Sequence, residues 1–593
     1  MKIKLFCKNL GVILLANLLM GCANGSPIGS NPTKTPNPDD PCSSFALINS
    51  EDLYESEVSF DGSFASPQQD YMYKTLVAEI ARLRGNNALA AEYFFEIAIK
   101  TRDQRFAERA TETAMYAKKF DIAMKAAYLW TTIVPNNSHA RQILAGLLLR
   151  QNCTFEAIKH IEAITDILKG SPQQLKLVLE TMLKQQPSSS LKFMEELLKK
   201  RQNHPVMLLI YSRLLIQAKQ LKQAQEVLHK LLVLVPDHDE AVPLYAYLLK
   251  VQNQRLAARQ WMETALNKYQ DKAEWRFIYA RMLAEAEQFE EAIRQFQRLL
   301  LKYPQHSEIL YTLGALSIQT KQLSIAKGYF QKLIKVGERV NAAKYYLGQI
   351  AYDEKDLEKA LFWYYQVKQE TNYFLNAQAR IAYILVELGQ FDKAIEHLQT
   401  VVLKSDDPEE MISLMLFEAE LLVEQEHHHQ AMEAYNRALR LKADNVDALY
   451  MQALLYETMG SMSKMEQNLR RVLILAPENI DALNALGYSL TEHSARYQEA
   501  YRLIKQALTL NPNNYYILDS MGWVLYKMGN YVEAIAYLRK AQSQQNDPEV
   551  AAHLIQVLWA NGEYQAARQE LEQAIKAFPD DEKLREVANS FLE

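Results

Sequence analysis

Small residues recur at a fixed interval along most of this chain. Ala246, Ala280, Gly314, Gly348 and Ala382 are each 34 positions apart. Ala224, Ala258, Ala292, Ala326, Ala360 and Ala394 keep the same interval, offset from the first series by 12. Helices pack closely only where the facing side chains are small. Two such series therefore predict pairs of helices, the second of each pair laid against the first. One pair cannot bury its apolar faces alone, so the pairs must stack. Prolines keep time with the second series: Pro135, Pro236, Pro304, Pro512 and Pro579, with Pro477 following Met465 in the same way. Each marks a turn where no helical hydrogen bond is lost. The 593 residues include 18 glycines and 18 prolines, roughly 3% each against usual shares of about 7% and 5%. So few breakers suit helices joined by short turns and leave too few for a multi-stranded sheet. Hydrophobic residues make up 49%, enough to exclude disorder for most of the chain.

This combination of spacings resembles the tetratricopeptide repeat (TPR), a helix–turn–helix unit of 34 residues. Repeat starts set on these marks fall at about 72, 104, 138, 171, 205, 239, 273, 307, 341, 375, 412, 446, 480, 515 and 548. The expected fold is all-α, a right-handed superhelical solenoid of about 15 units. The unit at 171 is degenerate, with a helix stop and new cap at Pro187-Ser188-Ser189-Ser190. The units at 375 and 480 run long, and their extra residues are expected in turns. Phe296, Phe330, Tyr364 and Leu398 are expected to fill the space between neighbouring units. Lys583–Glu593 is expected to form a closing polar helix. The resemblance implies that the first helices line a binding groove. Mapped onto this chain, its groove positions include Tyr247, Phe277, Tyr311, Tyr345, Tyr352, Tyr383, Tyr450, Tyr488, Tyr516, Trp523 and Tyr526. Aromatic rings with a polar tip suit protein partners.

The first residues read as an address. Lys2, Lys4 and Lys8 precede an uncharged, mostly apolar stretch from Leu10 to Met20. That is too short to span a bilayer, which takes about 20 apolar residues, and it fits an export signal. Leu19-Met20-Gly21-Cys22 resembles the lipobox of bacterial lipoproteins, which implies lipidation of Cys22 and cleavage before it. Residues 1–21 are then a signal peptide, 22–65 a lipidated cysteine and tether, and 66–593 the solenoid. Losing three lysines and no acid moves the formal charge from −5 to −8. Ala23 follows the cysteine, where aspartate would resemble an inner-membrane retention signal. This implies the outer membrane, facing the periplasm. Residues 23–45 are rich in Gly, Ser, Asn and Pro, a flexible composition. Cys42 and Cys153 remain after processing, and a bridge or two free thiols are both open.

No chemistry is expected. The chain has no HExxH, CxxC, GxSxG or phosphate-loop motif. Ser189–Lys192, Ser324–Lys327 and Ser461–Lys464 have SxxK spacing, but without the companion motifs and near turns or helix starts. His427-His428-His429 falls at a turn with no matching carboxylate or cysteine pattern, so no metal site is expected. No cofactor is implied. With no basic block, nucleic acid is not an expected partner.

A closer resemblance rests on Leu76–Ala81 with Arg84-Gly85, Arg102-Asp103 with Phe106–Ala110, and Ala140-Arg141 with Leu144–Gln151. Ile517–Tyr526 and Glu549–Leu554 complete it. Together these stretches resemble proteobacterial TPR outer-membrane lipoproteins, including the LbcA-like adaptors of a carboxyl-terminal processing protease. The resemblance implies a non-catalytic scaffold that binds such a protease and peptidoglycan hydrolases and promotes their proteolysis. The alternative is a scaffold for pilus assembly, polysaccharide export or cell-wall synthesis.

Overall fold

The computed structural model describes residues 66–184 and 187–590. The expected signal, lipidation site and tether lie outside them, as do residues 591–593 of the closing helix. Among the described residues there are 31 α-helices and no strand. The chain divides into two compact units, Met1–Met282 and Leu283–Glu593, with the boundary inside the helix Ala273–Glu285.

In the first unit, Pro67–Leu83 pairs with Asn87–Thr101, and five further pairs follow, ending with Ala241–Val251 and Arg255–Lys268. The helices Ala273–Glu285 and Phe289–Lys302 come next along the chain, the first containing the boundary and the second lying in the second unit. Eight pairs follow in the second unit, from Ser307–Gln319 and Leu323–Val336 to Pro548–Ala560 and Tyr564–Ala577. A last helix, Glu582–Ser590, closes the stack by burying Leu584 and Val587. The fold is thus all-α, as expected, and each unit is built from helix–turn–helix pairs of the TPR kind.

Helix starts fall within two residues of expectation except at two places. Ser66 caps the first helix ahead of Pro67, and Asp407 caps a later one ahead of Pro408. In both, Pro at the first helical position lets the helix begin early. The excess of the long unit at 375 therefore enters the 17-residue helix Pro408–Glu424 rather than a turn. The excess of the unit at 480 does lie in its turn, where Ser494 is extended at φ −150°. The degenerate unit still forms two helices, Pro172–Lys184 and Pro187–Lys200. One departure has no mark in the periodicity. The helix Leu357–Tyr364 has only eight residues, and a connection carries Tyr373 before the next helix begins at Phe374.

Most turns within a pair share one geometry. A residue in the left-handed region sits two positions before the second helix, as Lys118, Asn152, Lys321, Gly389 and Gly529 do. The following amide reaches back to close the first helix: Gln322 N donates to Ser317 O at 2.8 Å and Asn530 N to Leu525 O at 2.9 Å. This is the Schellman closure, which satisfies terminal carbonyls in a tight reversal.

Both small-residue series are buried. A Cβ added at Gly314 would lie 2.6 Å from the Phe330 ring, and one at Gly348 would lie 2.8 Å from the Tyr364 ring. At Gly487 and Gly522 the intruding atoms belong to Ile504 and Leu538, each at 2.5 Å. Phe330 and Tyr364 were expected to fill the space between units. Each lies against the small residue of its own pair. Phe330 also reaches the next pair, stacking on Tyr346 with centroids 5.1 Å apart. The small residue sets how near the second helix comes, and the Phe330 ring then spans both joints.

No described helix is long and apolar enough to cross a membrane.

Candidate protein-binding site

The expected groove residues all sit on first helices, but their environments differ. In the first unit, Tyr247 is 54% exposed on Ala241–Val251, and Phe277 is half-buried on Ala273–Glu285. In the second unit, Tyr311, Tyr352, Tyr383, Tyr450, Tyr488, Tyr516 and Tyr526 are half-buried, while Tyr345 and Trp523 are buried. The structure brings most of the second-unit residues into clusters rather than one uniform row.

The first cluster joins Tyr311, Tyr345, Tyr346, Tyr364 and Tyr373. The Tyr311 hydroxyl lies 3.4 Å from that of Tyr346 and 3.2 Å from that of Tyr373. The Tyr345 ring is 5.6 Å from Tyr364 and 5.4 Å from Tyr373. Arg339 lies 5.1 Å over the Tyr311 ring and pairs with Glu308. Burial pushes the Tyr346 phenol up to about 12 and raises Tyr311, Tyr364 and Tyr373 as well. All four therefore stay neutral at physiological pH, and the hydroxyls of Tyr346 and Tyr373 both meet that of Tyr311. Beside this cluster, burial weakens the acidity of Tyr352, followed by the nearby Glu387 carboxylate.

The second cluster is built on successive first helices near the C-terminus. Tyr516 donates to Asp481 at 3.0 Å, and burial pushes its pKa up to about 12. Burial also raises Tyr450, followed by the charge of Asp481. Beyond it, His553 Nδ1 donates to Asp519 at 2.9 Å, both side chains being buried. Trp523 stacks on His553 with centroids 4.0 Å apart, and its indole N–H donates to Glu492. Tyr488 donates to Glu549 at 3.2 Å, and Glu549 also pairs with Lys583 of the closing helix at 2.7 Å. Trp523 is thus packed and hydrogen-bonded among three consecutive pairs. Tyr526, 4.9 Å from it, stays half-open.

The sequence reading missed Tyr346, Tyr364 and Tyr373 as members of the first cluster, and Asp519 and His553 in the second. A signal existed for the last two, which lie 34 positions apart, one full repeat, within the stretches that carry the closer resemblance. Tyr373 had none, because its place depends on the shortened helix before it.

The histidine run stands partly as expected. His427 occupies the turn and stacks on Phe391 at 5.2 Å, whereas His428 and His429 open the next helix. Among the described residues no group of His, Cys, Asp or Glu is arranged to hold a metal ion. Cys153 is disulfide-bonded. The chain's other cysteines, Cys7, Cys22 and Cys42, lie outside the described residues.

Tetratricopeptide-repeat models match residues 237–307, 319–373 and 418–464, 375–403, and 493–552 with 525–588. The chain belongs to the TPR-repeat family. A TPR repeat-containing protein of Pseudomonas aeruginosa is 40% identical over 183 residues, covering 31% of each chain. The chain thus spans about a third of that relative's length. A TPR repeat-containing protein of Methanocaldococcus jannaschii is 33% identical over 116 residues, 18% of this chain and 20% of its own. Among solved structures, the hetero-tetramer Cut9-Hcn1 aligns over 88% of this chain and 96% of its own, at 13% identity and a TM-score of 0.34. The pilus biogenesis factor PilW aligns over 37% and 100%, at 19% identity and a TM-score of 0.32.

Proposed function

We propose that this protein is a non-catalytic scaffold lipoprotein. It would be anchored through Cys22 to the outer membrane, face the periplasm and bind protein partners. Within that class, the favoured role is that of an adaptor. It would hold a carboxyl-terminal processing protease and its peptidoglycan-hydrolase substrates together and promote their degradation. The observation that carries the scaffold reading is the set of aromatic side chains, many half-buried, on the first helices. Their rings offer area at low entropic cost and their tips offer hydrogen bonds. Support for the anchor comes from Leu19-Met20-Gly21-Cys22 and for the adaptor role from the sequence resemblance. An anchor confines partners to one surface and raises their effective concentration.

The test is co-purification from detergent-solubilised envelopes, with the native chain and with Cys22→Ala. The expected result is a peptidase together with a cell-wall hydrolase on the native chain. Cys22→Ala should move the protein out of the membrane fraction. Recovery of pilus, polysaccharide-export or cell-wall synthesis components without a peptidase would replace the adaptor reading by another scaffold. A purified chain that cleaves peptidoglycan or protein unaided would overturn the class.

A further inference from the structure

In the second unit, five consecutive first helices end against their own dipoles. A helix C-terminus carries partial negative charge, so a carboxylate there is unfavourable and a lysine or arginine is favoured. Val340–Asp353, Phe374–Glu387 and Pro408–Glu424 nevertheless end on an acid. Val446–Thr458 and Ile480–His493 place Glu457 and Glu492 one residue from the end. No lysine or arginine stands in the last turn of any of the five. Second helices of the same unit follow the usual rule, with Lys335, Lys404 and Arg440 in their last turns. Asp353, Glu387, Glu424 and Glu492 are exposed and Glu457 is half-buried. The result is a row of acids, one per pair, at a place where folding alone disfavours them.

A second, independent observation concerns Glu420, one turn before Glu424 on the same helix. It is 6% exposed and has no hydrogen-bond or ion-pair partner among the described residues. The groups that act on it or feel it are the Glu424 carboxylate and the buried Tyr435 phenol. Burial first, then the charge of Glu424, holds its carboxyl up to about 7. Glu418, two residues earlier, is just as buried but receives Arg437 at 2.5 Å and Gln399 at 2.7 Å. Like charges one turn apart repel, and a buried carboxyl without a donor or cation is costly. Glu420 and Glu424 together thus lack the cation that Glu418 has.

We propose that this row, with Glu420 near its centre, binds a basic segment of a protein partner, one lysine or arginine of which meets Glu420 and Glu424. The inference rests on the scaffold reading above and adds the kind of chain the scaffold takes. Charge complementarity selects the occupant, and the repeat sets its spacing. Packed helices lie about 8–10 Å apart, and an extended or polyproline chain advances about 3.1–3.4 Å per residue. A basic residue at every third position therefore keeps step with one carboxylate per pair. The ends of the row meet cations of the chain itself: Arg380 and Lys355 act on Asp353, and Lys527 lies 3.7 Å from Glu492. The pull on an outside cation is accordingly strongest over the middle, from Glu387 to Glu457.

The test is fluorescence anisotropy with the full chain in neutral detergent and a labelled peptide of repeated Lys-Pro-Ser triplets. The peptide should bind, and binding should weaken as salt rises. The matching Glu-Pro-Ser peptide should not bind. Glu387→Gln with Glu424→Gln and Glu457→Gln should weaken capture about ten-fold or more. The same variant should melt higher, because each lost charge opposed its helix dipole. Glu420→Gln alone should weaken capture about three-fold. A control variant removes as many exposed acids from second helices: Glu290→Gln with Asp392→Asn and Glu433→Gln. It should bind within about two-fold of the native chain. Three results overturn the proposal. One is no capture of the Lys-Pro-Ser peptide. Another is equal loss in the two triple variants, the mark of attraction to net charge alone. The last is a lower melting temperature in the row variant, which would assign the acids to the fold. Any of these, with co-purified partners still recovered from envelopes, would strike the acidic row and leave the scaffold reading standing.

Discussion

At the residue scale, the structure separates glycines that set a packing distance from those that do not. Gly314→Ala would drive a methyl into the Phe330 ring at 2.6 Å. Because Phe330 is fully buried and stacked on Tyr346, it cannot give way cheaply. The substitution should cost about 1–3 kcal/mol, read as a lower urea midpoint. Gly328 lies in the neighbouring helix with nothing within 4 Å of an added Cβ. Gly328→Ala should therefore stabilise by about 0.5–1 kcal/mol through helix propensity alone and raise the midpoint accordingly. Glu420 offers a pH test. It is 6% exposed, and burial, followed by the charge of Glu424, pushes its carboxyl up to about 7 from an ordinary 4.5. The folded chain then holds this proton where the unfolded chain has lost it, so stability falls as pH rises from about 4.5 to 7. Solvent screening leaves an effect of about 1–2 kcal/mol. Glu420→Gln should flatten that part of the stability–pH curve, measured by urea titration at pH 5 and pH 8. A wild-type curve already flat over this range would refute the assignment.

At the scale of the element, the recurring turn makes a graded prediction. Gly529 stands at φ +82° and Asn253 at φ +63° in equivalent turns. An alanine at 529 must adopt a left-handed conformation that costs about 1–2 kcal/mol, so Gly529→Ala should destabilise by that amount. Asn253→Gly should be close to neutral, since asparagine already tolerates the region. Melting of the two variants side by side checks the pair. The same turn explains what the sequence made legible. Helix pairs were readable because one small residue per helix fixes the packing distance, and that requirement repeats every 34 positions. Helix starts at Pro67 and Pro408 were misplaced because capping, not packing, decides them. The binding residues were readable only by position. Position puts Tyr247 and Trp523 on equivalent faces, yet one is 54% exposed and the other 6%. The difference comes from His553 and Glu492, contributed by the neighbouring pairs, which a position rule does not include. Trp523→Ala should accordingly be read first as a stability variant, costing about 3–5 kcal/mol. Tyr247→Ala should leave the melt unchanged and serves as the cleaner probe of partner capture.

At the scale of the whole molecule, each pair within a unit touches mainly its neighbours, so stability is a sum of local terms. A defect should then spread only as far as nearest-neighbour coupling carries it. Gly522→Leu is the sharpest such defect, because a Cβ at 522 already meets Leu538 at 2.5 Å and the Ala534 carbonyl at 3.1 Å. The polar contacts around it radiate to the adjacent pairs through Trp523, His553 and Tyr488 and reach Lys583 of the closing helix. Native-state hydrogen exchange should therefore show large losses of protection over residues 480–590. Residues 104–167, in the other compact unit, should exchange as in the native chain. A compact domain with one shared core would behave differently, losing protection everywhere at once. Uniform loss across both units would show that the chain folds as a single cooperative body, and the scaffold reading would lose its assumption that separate stretches of the stack can engage separate partners.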